Sequence, residues 1–311
     1  MDIQTGSATD GTQASLPFSL LMPVYAGDRA DYVRKALLSN TVEQNLPPSQ
    51  VVLVQDGPVG SGIAQLLDSL PAMLTEQFIA AGRADKQPEL EIVRLPHNAG
   101  LAKALNQGLR HCGYDLVARA DSDDISMPER FEAIVPLLTG SAGNRFDVVG
   151  SFIQEFSDEQ DDPGQVRELP TGGAELEAFA RLRSPLHHPS VAFRRSVVAS
   201  VGGYPEGQGR FEDYLLWERM ILAGARLCNV PLPLVLYRVD AGAYERRGGL
   251  PMFIDELRMQ NRFRSDGFTT APQFVRNVCI RALYRLLPTP VRTVGYRCLT
   301  GLRHALRPVR E

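Results

Sequence analysis

The residues able to do chemistry lie in short clusters, the densest being Asp121-Ser122-Asp123-Asp124 after the apolar segment LVARA. A D-x-D pair where a strand becomes a loop can turn two carboxylates toward one hard cation. Mg²⁺ or Mn²⁺ takes one or two protein carboxylates and leaves its other positions to water and substrate phosphates. Such an ion stabilises the negative charge that grows on a departing diphosphate. Alone, the same residues also compose a solvated acidic loop or a cap before Pro128. A calcium loop counted from Asp121 would reach Glu132 at its twelfth position. Ile125 then stands at a ligand position and Ser126 at the turn glycine, which excludes that reading.

Other clusters follow. Glu212-Asp213 opens a helical pattern, so its acids either complement the helix dipole or supply a general base. His187-His188-Pro189 precedes a strand-like segment, where a histidine can serve metal, acceptor or pyrophosphate. Arg246-Arg247, followed by Gly248-Gly249, reads as a flexible lid whose guanidinia pair with phosphates, or as a solvated basic loop. Neither G-x-x-x-x-G-K-[ST] nor G-x-G-x-x-G after the first strand occurs. A metal bridge is then the economical way to hold a diphosphate.

The elements that must position these residues alternate. Strands are expected over 18–24, 51–54, 90–95 and 115–120, with helices over 28–40, 62–81 and 99–111 between them. This predicts an α/β fold, a mostly parallel sheet flanked by helices, with ligands beyond the carboxyl ends of the strands. Tyr25, Asp56, His97-Asn98 and Asp121-Asp123 all fall just after strand ends. Later come a helix at 128–138, a strand at 146–153, helices at 173–182 and 212–224, and a strand at 232–238.

Of the 311 residues 44% are apolar and 22% charged, enough for a sizeable core, and the net charge of −3 argues against a nucleic-acid partner. The four cysteines show no C-x-x-C pairing and read as reduced structural thiols. The first residues lack the apolar core of a signal peptide, so a cytoplasmic location is expected.

Taken in order, several motifs resemble those of the family 2 glycosyltransferases, which have the GT-A fold and invert the sugar anomer. These are LLMPVYAGD (20–28), VVLVQDGP (51–58), HNAGLAKALNQGL (97–109), ARADSDDISMPERF (118–131) and FEDYLLWERM (211–220). The bacterial exopolysaccharide and lipopolysaccharide assembly enzymes are the nearest in character. The resemblance implies a nucleotide-sugar donor, most often a UDP-sugar, with Pro23, Tyr25 and Asp56 lining the nucleoside pocket and Asn98 near the nucleotide. It places Asp121 on ribose or sugar, Asp123 on Mn²⁺ or Mg²⁺, and Asp213 as general base beside Glu212. His188 matches a family histidine and is taken as a further metal ligand, and Arg247 as a donor contact. Gln55 stands where the family often has a second acid, and Q-x-x-R-W of the processive synthases is absent, so one sugar is transferred per encounter. The implied acceptor is a glycan or a lipid-linked glycan. A sugar nucleotidyltransferase is a rival, but would want a glycine-rich basic loop after the first strand. A catalytically inactive nucleotide-sugar-binding protein is another, to be separated by activity.

The expected organisation is a tail over 1–16, the glycosyltransferase domain over 17–240, and a lid-like loop with basic helices over 241–311. Between Arg276 and Arg310 the sequence holds eight arginines and no acid or lysine, with apolar stripes at 275–287 and 291–306. Arginine on one side and apolar residues on the other describe an interfacial helix pair suited to an anionic membrane surface, hence to the inner face of the cytoplasmic membrane.

Overall fold

The computed structural model describes residues 16–141, 143–157, 164–207, 210–239 and 249–286. In its first half β1 (Ser19–Tyr25), α1 (Ala30–Ser39), β2 (Gln50–Asp56), α2 (Ser61–Ala80), β3 (Glu89–Arg94), α3 (Leu101–His111) and β4 (Leu116–Arg119) alternate as expected. The four strands are parallel, in spatial order β3-β2-β1-β4. Both faces are covered, which is why these strands are continuous apolar runs. Leu20, Met22, Val51 and Leu53 point into the core shared with α1 and α2. Leu21, Val52 and Val54 point into the core shared with α3. At Gly108 of α3 a Cβ would stand 2.3 Å from Leu21 Cδ1 and 2.7 Å from Val54 Cγ2, so glycine sets how closely that helix lies on the sheet.

The second half adds β5 (Ile125–Ser126), α4 (Arg130–Ile134), β6 (Val148–Phe156), β7 (Val166–Arg167), α5 (Gly173–Ala180), β8 (Ala192–Arg194), α6 (Arg195–Ser200), α7 (Glu212–Leu222) and β9 (Leu227–Arg238). The sheet continues from β4 as β8-β6-β9-β5, with β7 on β6, and mixes directions: β8 is antiparallel to β4 and β6, while β6 and β9 are parallel. Three differences from expectation have local causes. The helix expected over 128–138 is α-helical only to Ile134 and continues as a 3₁₀ turn, Val135–Leu138, because Pro136 has no N–H to donate. β9 begins at Leu227, ahead of the expected 232, and runs through Pro231 and Pro233; its register against β6 slips at Phe152, where the missing donors break the ladder. β5, β7 and β8 hold two or three residues each, too few to show a period.

A helical hairpin, α8 (Leu250–Ser265) and α9 (Ala271–Leu286), packs on this body. Met259, Phe263 and Phe268 meet Ala180, Tyr214 and Leu215. Asn277 Nδ2 donates to the Arg181 carbonyl at 2.7 Å, and Arg281 Nη2 to that of Leu182 at 2.7 Å. The structure decides which side of this amphipathic helix faces outward. Arg281 and Arg285 turn inward to buried Glu256, Arg285 pairing at 2.9 Å, while Val275, Cys279, Ile280 and Leu283 face outward. A buried carboxylate draws guanidinia to itself, since leaving it unpaired costs more than exposing aliphatic surface. The second stripe, at 291–306, and the Arg246-Arg247 lid lie outside the described residues.

Candidate active site

At the parallel sheet's carboxyl rim, β1 ends at Tyr25, which is 50% exposed, with Pro23 half-buried behind it. The Tyr25 N–H donates to Asp28 Oδ2 at 2.9 Å, holding the loop over the rim. At the end of β2, buried Asp56 accepts the Ala99 N–H at 2.6 Å and the Gly100 N–H at 3.0 Å, satisfying donors at the start of α3. Asn98 Nδ2 reaches the Asp56 carbonyl at 3.4 Å. This contact is possible because Gly57 (φ +84°) carries no Cβ, which would lie 2.4 Å from the Asn98 nitrogen. Asp56 thus joins two rim loops through its carboxylate.

β4 delivers the acidic cluster. Ligand atoms of Asp121, Asp123 and Asp124 all lie within 4.8 Å of one another. Arg119, fully buried, faces Asp121 with its guanidinium fork, Nη1 donating to Oδ2 at 2.7 Å and Nη2 meeting Oδ1. Arg130, also buried, donates to the carbonyls of Arg119 (2.6 Å) and Pro189 (2.8 Å), to Ser126 Oγ (2.8 Å) and to Asn40 Oδ1 (3.1 Å). Burial, then the neighbouring Arg119, pull its guanidinium down to about 9 against the opposing Asp124 and Asp121. From β9, the Arg238 N–H donates to Asp124 Oδ1 at 2.8 Å and its Nε to the Asp123 carbonyl at 2.8 Å. Its guanidinium lies 3.8 Å over the Tyr32 ring.

The cluster carries more negative charge than its arginines absorb. Asp123 is pushed up to about 6, first by burial and then by Asp121 and Asp28. Its outer edge meets solvent, so repulsion is the more durable of these causes. Asp124 is held well above the usual range by burial, then by Asp121 and Asp123. Its second oxygen, Oδ2, is buried and has no hydrogen-bond partner among the described residues. An orphaned carboxylate oxygen among mutually repelling acids fits a divalent cation, whose charge reverses both penalties. Asp123 and Asp124 would hold it, with Asp121 steadied by Arg119.

The first turn of α7 brings a second pair of acids to the same centre. Glu212 is raised by burial and feels Arg119 and Asp121, while Asp213 is pushed up to about 7 by burial and then by Glu212. The loop before α7 is clamped from α3: Asn106 Nδ2 donates to the Tyr204 carbonyl (2.8 Å) and Glu206 Oε1 (3.0 Å), and the Tyr204 N–H returns a bond to Asn106 Oδ1 at 2.8 Å.

His188 does not join the acidic group. Its Nε2 and Tyr204 Oη are hydrogen-bonded at 2.9 Å, its ring lies edge-on to Trp217, and burial, then Arg119, hold it well below its usual range. A neutral imidazole bonded to a tyrosine supports the wall behind Arg119 and Glu212 more directly than it supports an ion. Arg247 lies outside the described residues. Sequence reading passed over Asp28, Arg119, Arg130, Asn106 and Arg238. Arg119 and Arg130 flank the D-x-D, and two arginines among apolar core positions were the available signal.

The model of glycosyl transferase family 2 matches residues 19–202, more than half of the chain. The chain is 32% identical over 280 residues to the UDP-Gal:alpha-D-GlcNAc-diphosphoundecaprenol beta-1,3-galactosyltransferase of Escherichia coli, covering 90% of this chain and 95% of that one. It is 32% identical to the amylovoran biosynthesis glycosyltransferase AmsE of Erwinia amylovora, covering 90% and 97%. Among solved structures, Staphylococcus aureus TarS (residues 1–349, with UDP-GlcNAc) superposes with a TM-score of 0.61 at 16% identity, over 86% of this chain and 72% of that one. The mannosyltransferase PcManGT of Pyrobaculum calidifontis, with GDP-Man and Mn²⁺, gives 0.55 at 18%, over 94% and 76%. These likenesses establish a GT-A-type fold, and with the family match they show that the chain is a family 2 glycosyltransferase.

Proposed function

We propose that this enzyme transfers one sugar, with inversion, from a nucleoside-diphosphate sugar, a UDP-sugar by the relatives' names, to a lipid-linked or glycan acceptor in surface polysaccharide assembly. The observation that carries this reading is the pairing of an acidic cluster bearing an orphaned oxygen at Asp124 with a partly buried carboxyl, Asp213, poised near neutrality. Bound Mn²⁺ or Mg²⁺ would neutralise the diphosphate as it departs. Pro23, Tyr25, Asp56 and Asn98 form the rim against which the nucleoside would lie, and Asp121 would face the ribose or sugar. As the acceptor oxygen bonds to the anomeric carbon, its proton passes to the Asp213 carboxylate. The bond to the diphosphate breaks on the opposite side, and its electron pair leaves with the nucleotide. Glu212 keeps the Asp213 carboxyl basic.

The test is a donor screen with Mn²⁺ or Mg²⁺ that reads released nucleotide, with and without diphosphate-linked acceptors. Binding of UDP without transfer to any acceptor would sink the reading.

No described helix is long and apolar enough to cross a membrane. An anionic membrane surface remains part of the proposal, supported by the outward Val275, Ile280 and Leu283 of α9 and by the arginines that follow in sequence. The double variant Ile280→Asp/Leu283→Asp should lose most binding to phosphatidylglycerol vesicles at low salt. Unchanged sedimentation with vesicles would remove this face from the proposal.

A further inference from the structure

We propose that Arg238 is the positioning residue of the cation site. It fixes the peptide that joins Asp123 to Asp124, and so sets which carboxylate oxygens face the ion. This rests on the reading of Asp123 and Asp124 as the cation ligands.

The sheet brings these residues together. β5 runs antiparallel to β9 with Ser126 opposite Val235 and Ile125 opposite Leu236, a register that sets Asp123 opposite Arg238. β5 has ended by that point, and side-chain bonds take over from the ladder. The Arg238 N–H donates to Asp124 Oδ1 at 2.8 Å, and Arg238 Nε donates to the Asp123 carbonyl at 2.8 Å. One residue therefore grips both the carbonyl between the two acids and one oxygen of the second acid. With Oδ1 of Asp124 occupied, the oxygen left over is Oδ2, the buried one with no hydrogen-bond partner among the described residues.

Arg238 is itself held by elements that carry none of these acids. Its strand pairs with β6, where Phe156 is its neighbour, and the Val239 N–H donates to the Phe156 carbonyl at 2.9 Å. The guanidinium lies 3.8 Å over the ring of Tyr32, on α1, and 4.5 Å over that of Phe156. A planar cation stacked on two rings has little freedom to turn, so α1 and β6 set the direction of the Nε–H bond.

The sign of the charge separates this role from a simpler one. A guanidinium beside a divalent-cation site repels the ion. If Arg238 only relieved the mutual repulsion of Asp121, Asp123 and Asp124, removing it would deepen the negative field and tighten ion binding. If it orients the ligands, removing it loosens ion binding in spite of the added negative charge.

The probe is Mn²⁺ alone, titrated into the full chain and read by electron paramagnetic resonance, with melting temperature followed in parallel. Arg238→Met should weaken Mn²⁺ binding about tenfold, the usual worth of a group that orients a metal ligand. Tyr32→Leu removes a stacking ring while leaving every charge in place, and should weaken binding about threefold. The double variant should bind no more weakly than Arg238→Met, since the ring acts through the guanidinium. If Arg238→Met does not fold, Arg238→Lys, which keeps the charge without the planar fork, should show the loss instead. Binding in the Arg238 variant as tight as in wild type or tighter, unchanged binding in Tyr32→Leu, or additive losses in the double variant would each overturn the proposal. The cation reading fails separately: wild type would then bind Mn²⁺ no better than Asp123→Asn, and the proposal would fall with it.

Discussion

Replacing Asp213 by Asn keeps shape and hydrogen-bonding capacity but removes the site that receives the acceptor's proton. The Asp213 carboxyl rises from an ordinary 3.8 to about 7, with burial the largest cause and Glu212 next. At neutral pH about half of the free enzyme then holds the base form. General-base loss is typically ~10²–10⁴-fold, so turnover should fall by that much while metal-dependent UDP binding stays. The wild-type profile of kcat/KM should rise with pH to a limb near 7, and Asp213→Asn should lack that limb.

Stability gives an independent reading. A carboxyl whose folded pKa is raised favours folding most below its unfolded pKa, and that contribution is lost as pH rises through the folded value. From pH 4 to 8, wild type should therefore lose stability relative to Asp213→Asn, by at most roughly 4 kcal/mol for a rise from 3.8 to about 7. Urea unfolding of both proteins at pH 4, 6 and 8 isolates this residue, since the other buried acids are common to both. Near-wild-type turnover in the variant, or a stability difference that does not change with pH, would refute the reasoning.

Asp124→Asn and Asp123→Asn should each weaken Mn²⁺ binding, read by electron paramagnetic resonance without substrate, by an order of magnitude or more; an undiminished signal at both would place the ion elsewhere. Arg119→Met leaves Asp121, which is partly exposed, without its guanidinium and should cost about 1–3 kcal/mol in chemical denaturation, the worth of hydrogen bonds to a charged group. A loss below 1 kcal/mol would show that the fork is not needed. Asn106→Ala removes three hydrogen bonds from the loop that leads to α7, so kcat should drop with little change in UDP affinity; equal loss of both would mean general unfolding.

The parallel half of the fold and the placing of the acids at the ends of its elements follow from the order of the residues alone. β1, β2 and β4 are buried on both faces, and a strand buried on both faces needs an unbroken apolar run; that run is visible in any window. Asp56, Asp121 and Asp123 were legible because each falls where a periodic segment ends, and Asp213 because it falls where one begins. The antiparallel half was not legible, since β5 and β8 owe their pairing to partners more than forty residues away in sequence, while β7 closes on nearby β6. The same holds for the groups that tune the acids. Arg119 and Arg130 look like surface residues until tertiary packing encloses them, Arg119 against Asp121 and Arg130 against backbone carbonyls, Ser126 and Asn40. Helix α9 shows the limit most plainly. Its composition announced an amphipathic helix, but which side faces outward was settled by Glu256 on α8, a buried acid that only the folded chain brings within reach of Arg281 and Arg285.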